Sequence, residues 1–271
     1  MIDFLKENRV LGAVYLINQE IGRLFHSEGA DEARRLLAAL PRKDSREGLD
    51  YRQHWSYDAG QGCPEEEFES FCESLKDEAC AQNALFGRNS VLVKSAPEAA
   101  VSSTVQALAK DVPSTLQTDI LKLVMEKLPS DANFEKIEQL LPPDPAGKDI
   151  SDPIKNGRHA LLRRWASIDP AAAANYVMSV PERMGPDAIG TIAEAVVMND
   201  PAAGVVWAQK FPQGPYYDAA VSAVIPHVGD GYPAQCRELA AMISDPAVRE
   251  RSLQICAEKE ERGKRSRGIP H

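Results

Sequence analysis

The chain has 271 residues, 44 % hydrophobic and 26 % charged, the balance of a folded globular protein rather than a disordered segment. Its formal net charge of −9 argues against a general nucleic-acid binder, whose footprint is a basic face. No run of about 18 apolar residues occurs, so no membrane-spanning helix is expected.

Aromatic residues make up only 6 % while Ala, Leu and Val abound, which favours helices over sheets. In chain order, the opening MIDFLKENRVLGAVYLINQE holds a short apolar stretch from Val10 to Ile17. It has no basic leader or small-residue cleavage site, so no signal peptide is expected, and the cytoplasm is the expected compartment. GADEARRLLAALP places Ala30, Leu36, Leu40 and Pro41 at helical spacing, and Trp55 precedes a helix start near Gly60. CPEEEFESFCESL opens a helix at Pro64, and APEAAVSSTVQALAKDVP opens one at Pro97 that ends at Pro113. STLQTDILKLVMEKLP reads as an amphipathic helix, and SDANFEKIEQLLP as another ending at Pro142. A polar loop at 143–155 follows.

The last third is periodic. Pro170, Pro201 and Pro233 stand 31 and 32 residues apart. Five residues before them stand Trp165, Val196 and Val228, and three after stand the small residues Ala173, Gly204 and Cys236. Six after stand Tyr176, Trp207 and Leu239, and ten after Val180, Phe211 and Ile243. Asp169 and Asp200 are good N-caps, and the proline behind each suits a first helical position. The small residue lets a neighbouring helix approach, the large ones form a buried stripe, and Pro181 and Pro212 stop the helix. Asp187 and Asp218 are expected to cap a second helix in each unit. With looser copies upstream, helix starts near 30, 64, 97, 131, 170, 201 and 233 recur every 31–39 residues, the mark of a repeat array. The expected fold is all-α, a right-handed α-solenoid of about six to seven helix–turn–helix repeats of roughly 31–34 residues. One repeat domain would cover 1–258, clearest over 156–258, with a basic, flexible tail at 259–271.

WASIDPAAA at Trp165–Ala173 resembles a bacterial class of tandem helical repeats with a Trp-Ala-x-x-Asp-Pro-x-x-Ala signature, and VVMNDPAAG matches it without the Trp. The tetratricopeptide spacing is similar, but its Trp-x-x-Leu-Gly start is missing. The resemblance, to solenoids of the tetratricopeptide and HEAT kind, implies a binding or scaffolding role and transfers no catalytic residue.

Other constellations are weak. The cysteines Cys63, Cys72, Cys80, Cys236 and Cys256 are odd in number and irregular in spacing, so core thiols in a reducing compartment are expected, not a disulfide framework. The histidines His26, His54, His159, His227 and His271 show no metal-ligand spacing, and no catalytic, phosphate-binding or dinucleotide motif occurs, so no catalytic residue, metal or cofactor is expected. PEEEF at Pro64–Phe68 reads as carboxylates favoured in a helix's first turn. Trp165, Tyr176 and Trp207 read as core. Arg158, Arg163 and Arg164, beside His159, could grip an anionic peptide or phosphate. Tyr216 and Tyr217, in an expected turn, could anchor a partner, since exposed aromatics are favoured at interfaces. Lys259, Arg262, Lys264, Arg265 and Arg267 make the tail a possible basic arm. The leading expectation is a non-catalytic module that binds a protein or peptide. The rivals are an enzyme with its site in the solenoid groove and a nucleic-acid binder using 158–164 and the tail.

Overall fold

Among the described residues of the computed structural model, proline opens eight of the thirteen α-helices. It fits there because the first helical residue has no intrahelical partner for its N–H and proline already holds the helical φ. The structure describes residue 35 and residues 51–110, 112, 116–143, 152–180, 183–228 and 233–266. The apolar stretch at 10–17, the Ala30–Pro41 segment, His26, Pro113, Pro181, Arg267, His271 and most of the 143–155 loop lie outside them. All regular structure among the described residues is helical, with no strand.

The described chain forms two compact units. The first takes the described residues up to Leu141 together with 152–157, and the second takes Pro142 and the described residues from Arg158 onward. The first unit contains α1 (Tyr51–Gly62), a 3-10 turn at Glu65–Glu67, α2 (Phe68–Ser74), α3 (Glu78–Leu92), α4 (Pro97–Leu108), α5 (Ile120–Glu126) and α6 (Phe134–Gln139). Helix α7 (Pro153–Ile168) begins in the first unit and ends in the second. The second continues with α8 (Pro170–Ser179), α9 (Pro186–Asn199), α10 (Pro201–Ala208), α11 (Pro215–Val228), α12 (Pro233–Ala241) and α13 (Pro246–Ser266).

The first unit is organised around α3, which packs on α1, α2, α4 and α5. A Cβ on Gly60 would lie 1.9 Å from the Ala84 carbonyl oxygen, and one on Gly87 would lie 1.8 Å from that of Tyr57. The two backbones meet directly, so Gly60 serves a helix crossing in the last turn of α1 and does not open a helix. Polar side chains of α3 bond across this seam and across the one with α4. Asn83 Nδ2 donates to the Gln53 carbonyl at 2.9 Å, Gln82 Nε2 to that of Ala107 at 2.7 Å, and Asn89 Nδ2 to the Ser103 and Thr104 hydroxyls at 3.1 Å. Buried amides of this kind carry little net energy but penalise any other register. The acidic PEEEF segment forms the 3-10 turn, not the first turn of an α-helix, and Glu65 pairs with Arg88 at 2.8 Å. Pro97 opens α4 as expected, while α6 starts at Phe134 under an Asn133 cap.

In the second unit α9 and α11 bury one face each against the other. Ala188, Ile189, Ile192, Ala193 and Val197 of α9 and Ala220, Val221, Val224 and Ile225 of α11 are fully buried. The spacing of three and four residues is what aligns them on one stripe. Helix α13 packs on α11 in turn, whereas α8 packs on α9, and α10 and α12 each pack on the helices that flank them in sequence. A Cβ on Gly204 would lie 2.5 Å from that of Val197, so the small residue does admit a neighbouring helix. Trp165 and Tyr176 meet with ring centroids 5.2 Å apart, Trp207 and Phe211 at 5.1 Å, all four in the core.

Two capping assignments change. Asp187 and Asp218 lie inside first turns that Pro186 and Pro215 open, and Gly185, at φ 46°, occupies the cap before α9. The tail also differs from expectation. Residues 259–266 continue α13, where Lys259 is buried and Glu260 bonds Arg237 at 2.5 Å.

Candidate functional site

Two successive corners of the second unit are built alike. Between α7 and α8, the Asp169 carboxylate accepts from the Ala172 N–H at 2.9 Å. Between α9 and α10, that of Asp200 accepts from Ala202 and Ala203 at 3.0 and 3.1 Å. Each carboxylate satisfies amides with no partner in the first turn and sits at the positive end of the helix dipole. The same device opens α7 at Asp152, bonded to Ile154 at 2.8 Å, and α13 at Asp245, bonded to Ala247 at 2.8 Å. The sequence shows all four as Asp-Pro, since a cap and its proline are neighbours.

Among the described residues, three of the six exposed large apolar side chains stand at or near the first two corners, and Val91, Met242 and Leu253 lie elsewhere. Ile168 stands two residues before Pro170 and is 39 % exposed. Met198 stands three before Pro201 and is 69 % exposed, and Val206, one turn into α10, is 59 % exposed. They occupy positions the core does not need. On α10 the inward side is Gly204, Val205, Trp207 and Ala208, leaving Ala202, Ala203, Val206 and Gln209 outward. On α8, Ala171, Asn175 and Ser179 face out. The capping aspartates aside, the described outward side of these helices is uncharged until Lys210, just past the end of α10. Such a surface costs little to desolvate. Sequence periodicity does not single these residues out.

The residues singled out for partner contact divide. Tyr217 is 1 % exposed, in a helix rather than a turn, with its hydroxyl 3.4 Å from the Leu239 carbonyl it donates to. Burial, and the neighbouring Asp218 carboxylate, push its phenol pKa up. Tyr216 beside it is half-buried. Arg158 is also 1 % exposed and donates through Nη2 to the Pro142 carbonyl, so it braces the chain entering α7 rather than gripping a ligand. Arg163 is exposed and Arg164 half-buried. The arginines therefore do not form one surface: residues five apart on a helix point in different directions.

The neighbour of Tyr217 does something the sequence did not announce. Asp218 is buried, and its two carboxylate oxygens accept from the backbone N–H groups of Ser244 and Asp245 at 2.8 and 2.9 Å. One side chain thus pins the turn between α12 and α13 to α11. Cys236 and Cys256 are joined in a disulfide, against the expectation of free thiols throughout. Their 20-residue separation brings them together only because α12 and α13 pack face to face. Two polar pairs cross the second helices: His159 Nδ1 and Thr191 Oγ1 are 2.7 Å apart, and His227 Nε2 and Glu194 Oε1 3.8 Å.

In the first unit, Arg88 lies 4.4 Å over the Phe68 ring while paired with Glu65. Cys63 and Cys72 are near it. Burial pushes the Cys63 thiol up to about 12, with Glu67 and Cys72 adding to the rise. Burial pushes Cys72 up to about 11 against the pull of Arg88. Both thiols are thereby held protonated at neutral pH. Among the described residues no group of three or more His, Cys, Asp or Glu is placed to hold a metal ion, and no helix is long and apolar enough to cross a membrane. No family model matches the chain, and no curated protein or solved structure matches it significantly.

Proposed function

We propose that the chain is a tandem helical-repeat module that binds a protein partner through the apolar corners of its second unit. In this reading it is a right-handed α-solenoid of about six or seven repeats of roughly 31–34 residues, and it has no catalysis of its own. The observation that carries the reading is the exposure of Met198 and Val206 at a well-formed Asp-Pro corner, beside an outward side of α10 that bears no charge. Large apolar side chains kept in water beside a well-packed core fit a binding role better than a folding one. The matching partner is a helix or extended segment that presents apolar anchors and few charges.

The test is capture of partners from native lysate by the wild-type chain and by a Met198→Glu, Val206→Glu double variant. The variant is expected to fold with its stability within about 1 kcal/mol of wild type, because both sites are exposed. It is expected to lose the stoichiometric partner. Binding of that partner, measured with purified components, should show a negative heat-capacity change and little dependence on salt. Undiminished capture by the variant would sink this surface. A steep fall in affinity with salt would favour the nucleic-acid reading instead.

A further inference from the structure

Helix α13 is long but thinly anchored. Among its described side chains, Cys256 is the single buried apolar one, and Ser252 and Lys259 are the other buried residues. Helices α9 and α11, each 14 residues, bury whole apolar stripes. Polar ties also hold α13. Arg237 bonds Glu260 at 2.5 Å on the surface, Arg249 donates to the Ile243 carbonyl at 2.9 Å, and Asp218 holds the preceding turn. Against this background the Cys236–Cys256 bond, with Cα atoms 6.1 Å apart, is the strongest single connection between α12 and α13. Both cysteines are almost wholly buried, at 1 % and 2 % exposure, so a reductant reaches the sulfurs only when the helices part.

We propose that the Cys236–Cys256 bond is a redox-governed clasp: oxidised, it holds α12 and α13 together against α11, and reduced, it lets α13 detach while α9 and α11 stay folded. Closing the clasp is thiol–disulfide exchange with a low-molecular-weight disulfide. One cysteine thiolate attacks it and expels a thiolate, and the second cysteine then attacks the mixed disulfide and expels the other. Two protein thiols are oxidised, one external disulfide is reduced to two thiols, and the protons pass to the departing sulfurs. Opening is the reverse, driven by a dithiol reductant. The other described thiols, Cys63, Cys72 and Cys80, belong to the first unit. This inference stands apart from the partner surface, since none of Ile168, Met198 and Val206 belongs to α12 or α13.

Hydrogen exchange read by mass spectrometry on the full chain, oxidised and then reduced with a phosphine, tests it. Reduction is expected to speed exchange across 246–263 roughly a hundredfold and to leave 189–197 and 220–228 unchanged. The non-reduced digest should contain the peptide linking Cys236 to Cys256, lost on reduction and restored by oxidised glutathione. A Cys236→Ser, Cys256→Ser variant should show the reduced pattern without reductant. If that variant does not fold, the comparison on the wild-type chain decides alone. No linked peptide after glutathione treatment, equal exchange across 246–263 in both states, or α9 and α11 opening together with α13 would each overturn the proposal.

Discussion

Asp218 and Asp187 look alike in sequence, each the second or fourth residue of a helix that proline opens, yet Asp218 bonds a turn 26 residues away. Replacing it with Ala leaves two amide donors without their acceptor and removes charge-assisted bonds. Asp218→Ala is expected to cost about 2–4 kcal/mol in urea denaturation, with Asp218→Asn intermediate because an amide keeps one acceptor. Tyr217→Ala should cost about 3–5 kcal/mol by opening a cavity, which makes it a stability variant and not a test of binding. The thiols of the first unit give a pH signature. Folded Cys63 and Cys72 keep their protons to about pH 12 and 11, while an unperturbed thiol titrates near 9.0. The folded state therefore binds more protons between these limits, and stability falls as pH rises above about 9. Thermal melts from pH 8 to 11 should show a smaller decline for Cys63→Ser, Cys72→Ser than for the wild type. These residue roles were not legible beforehand. Asp218, Arg158 and Tyr217 each act on a segment far away in sequence, and nothing in their own neighbourhood distinguishes them from a cap, a surface cation or a turn aromatic.

At the scale of helices the sequence was far more readable. The Asp-Pro pairs, the small residue three positions later and the stripe at six and ten are local signs of local needs, and the structure places Asp169, Asp200, Gly204 and Trp207 accordingly. Helix crossings were less visible, because a glycine inside a helix names no partner. Three glycines separate the cases. An added Cβ at Gly60 or Gly87 meets a backbone carbonyl that cannot yield, so Gly60→Ala and Gly87→Ala are expected to cost about 3 kcal/mol or more. At Gly190 the nearest atom is 3.4 Å away, so Gly190→Ala should be neutral or gain up to about 1 kcal/mol from helix propensity. Chemical denaturation of the three variants gives the ranking.

Across the second unit, every helix from α9 onward rests on near neighbours in the chain, and the corners before α8 and α10 carry the same Asp-Pro junction. That identity makes the chain editable. Excising residues 170–200 would join Asp169 directly to Pro201 and rebuild the same cap. Trp165 would then face Trp207 in place of Tyr176, and Gly204 would face Ala166 in place of Val197. The excision also removes α9, so α7 must cover the apolar stripe of α11 in its place for the shortened chain to fold. The shortened chain is expected to melt cooperatively, with a urea m-value reduced in proportion to the surface removed.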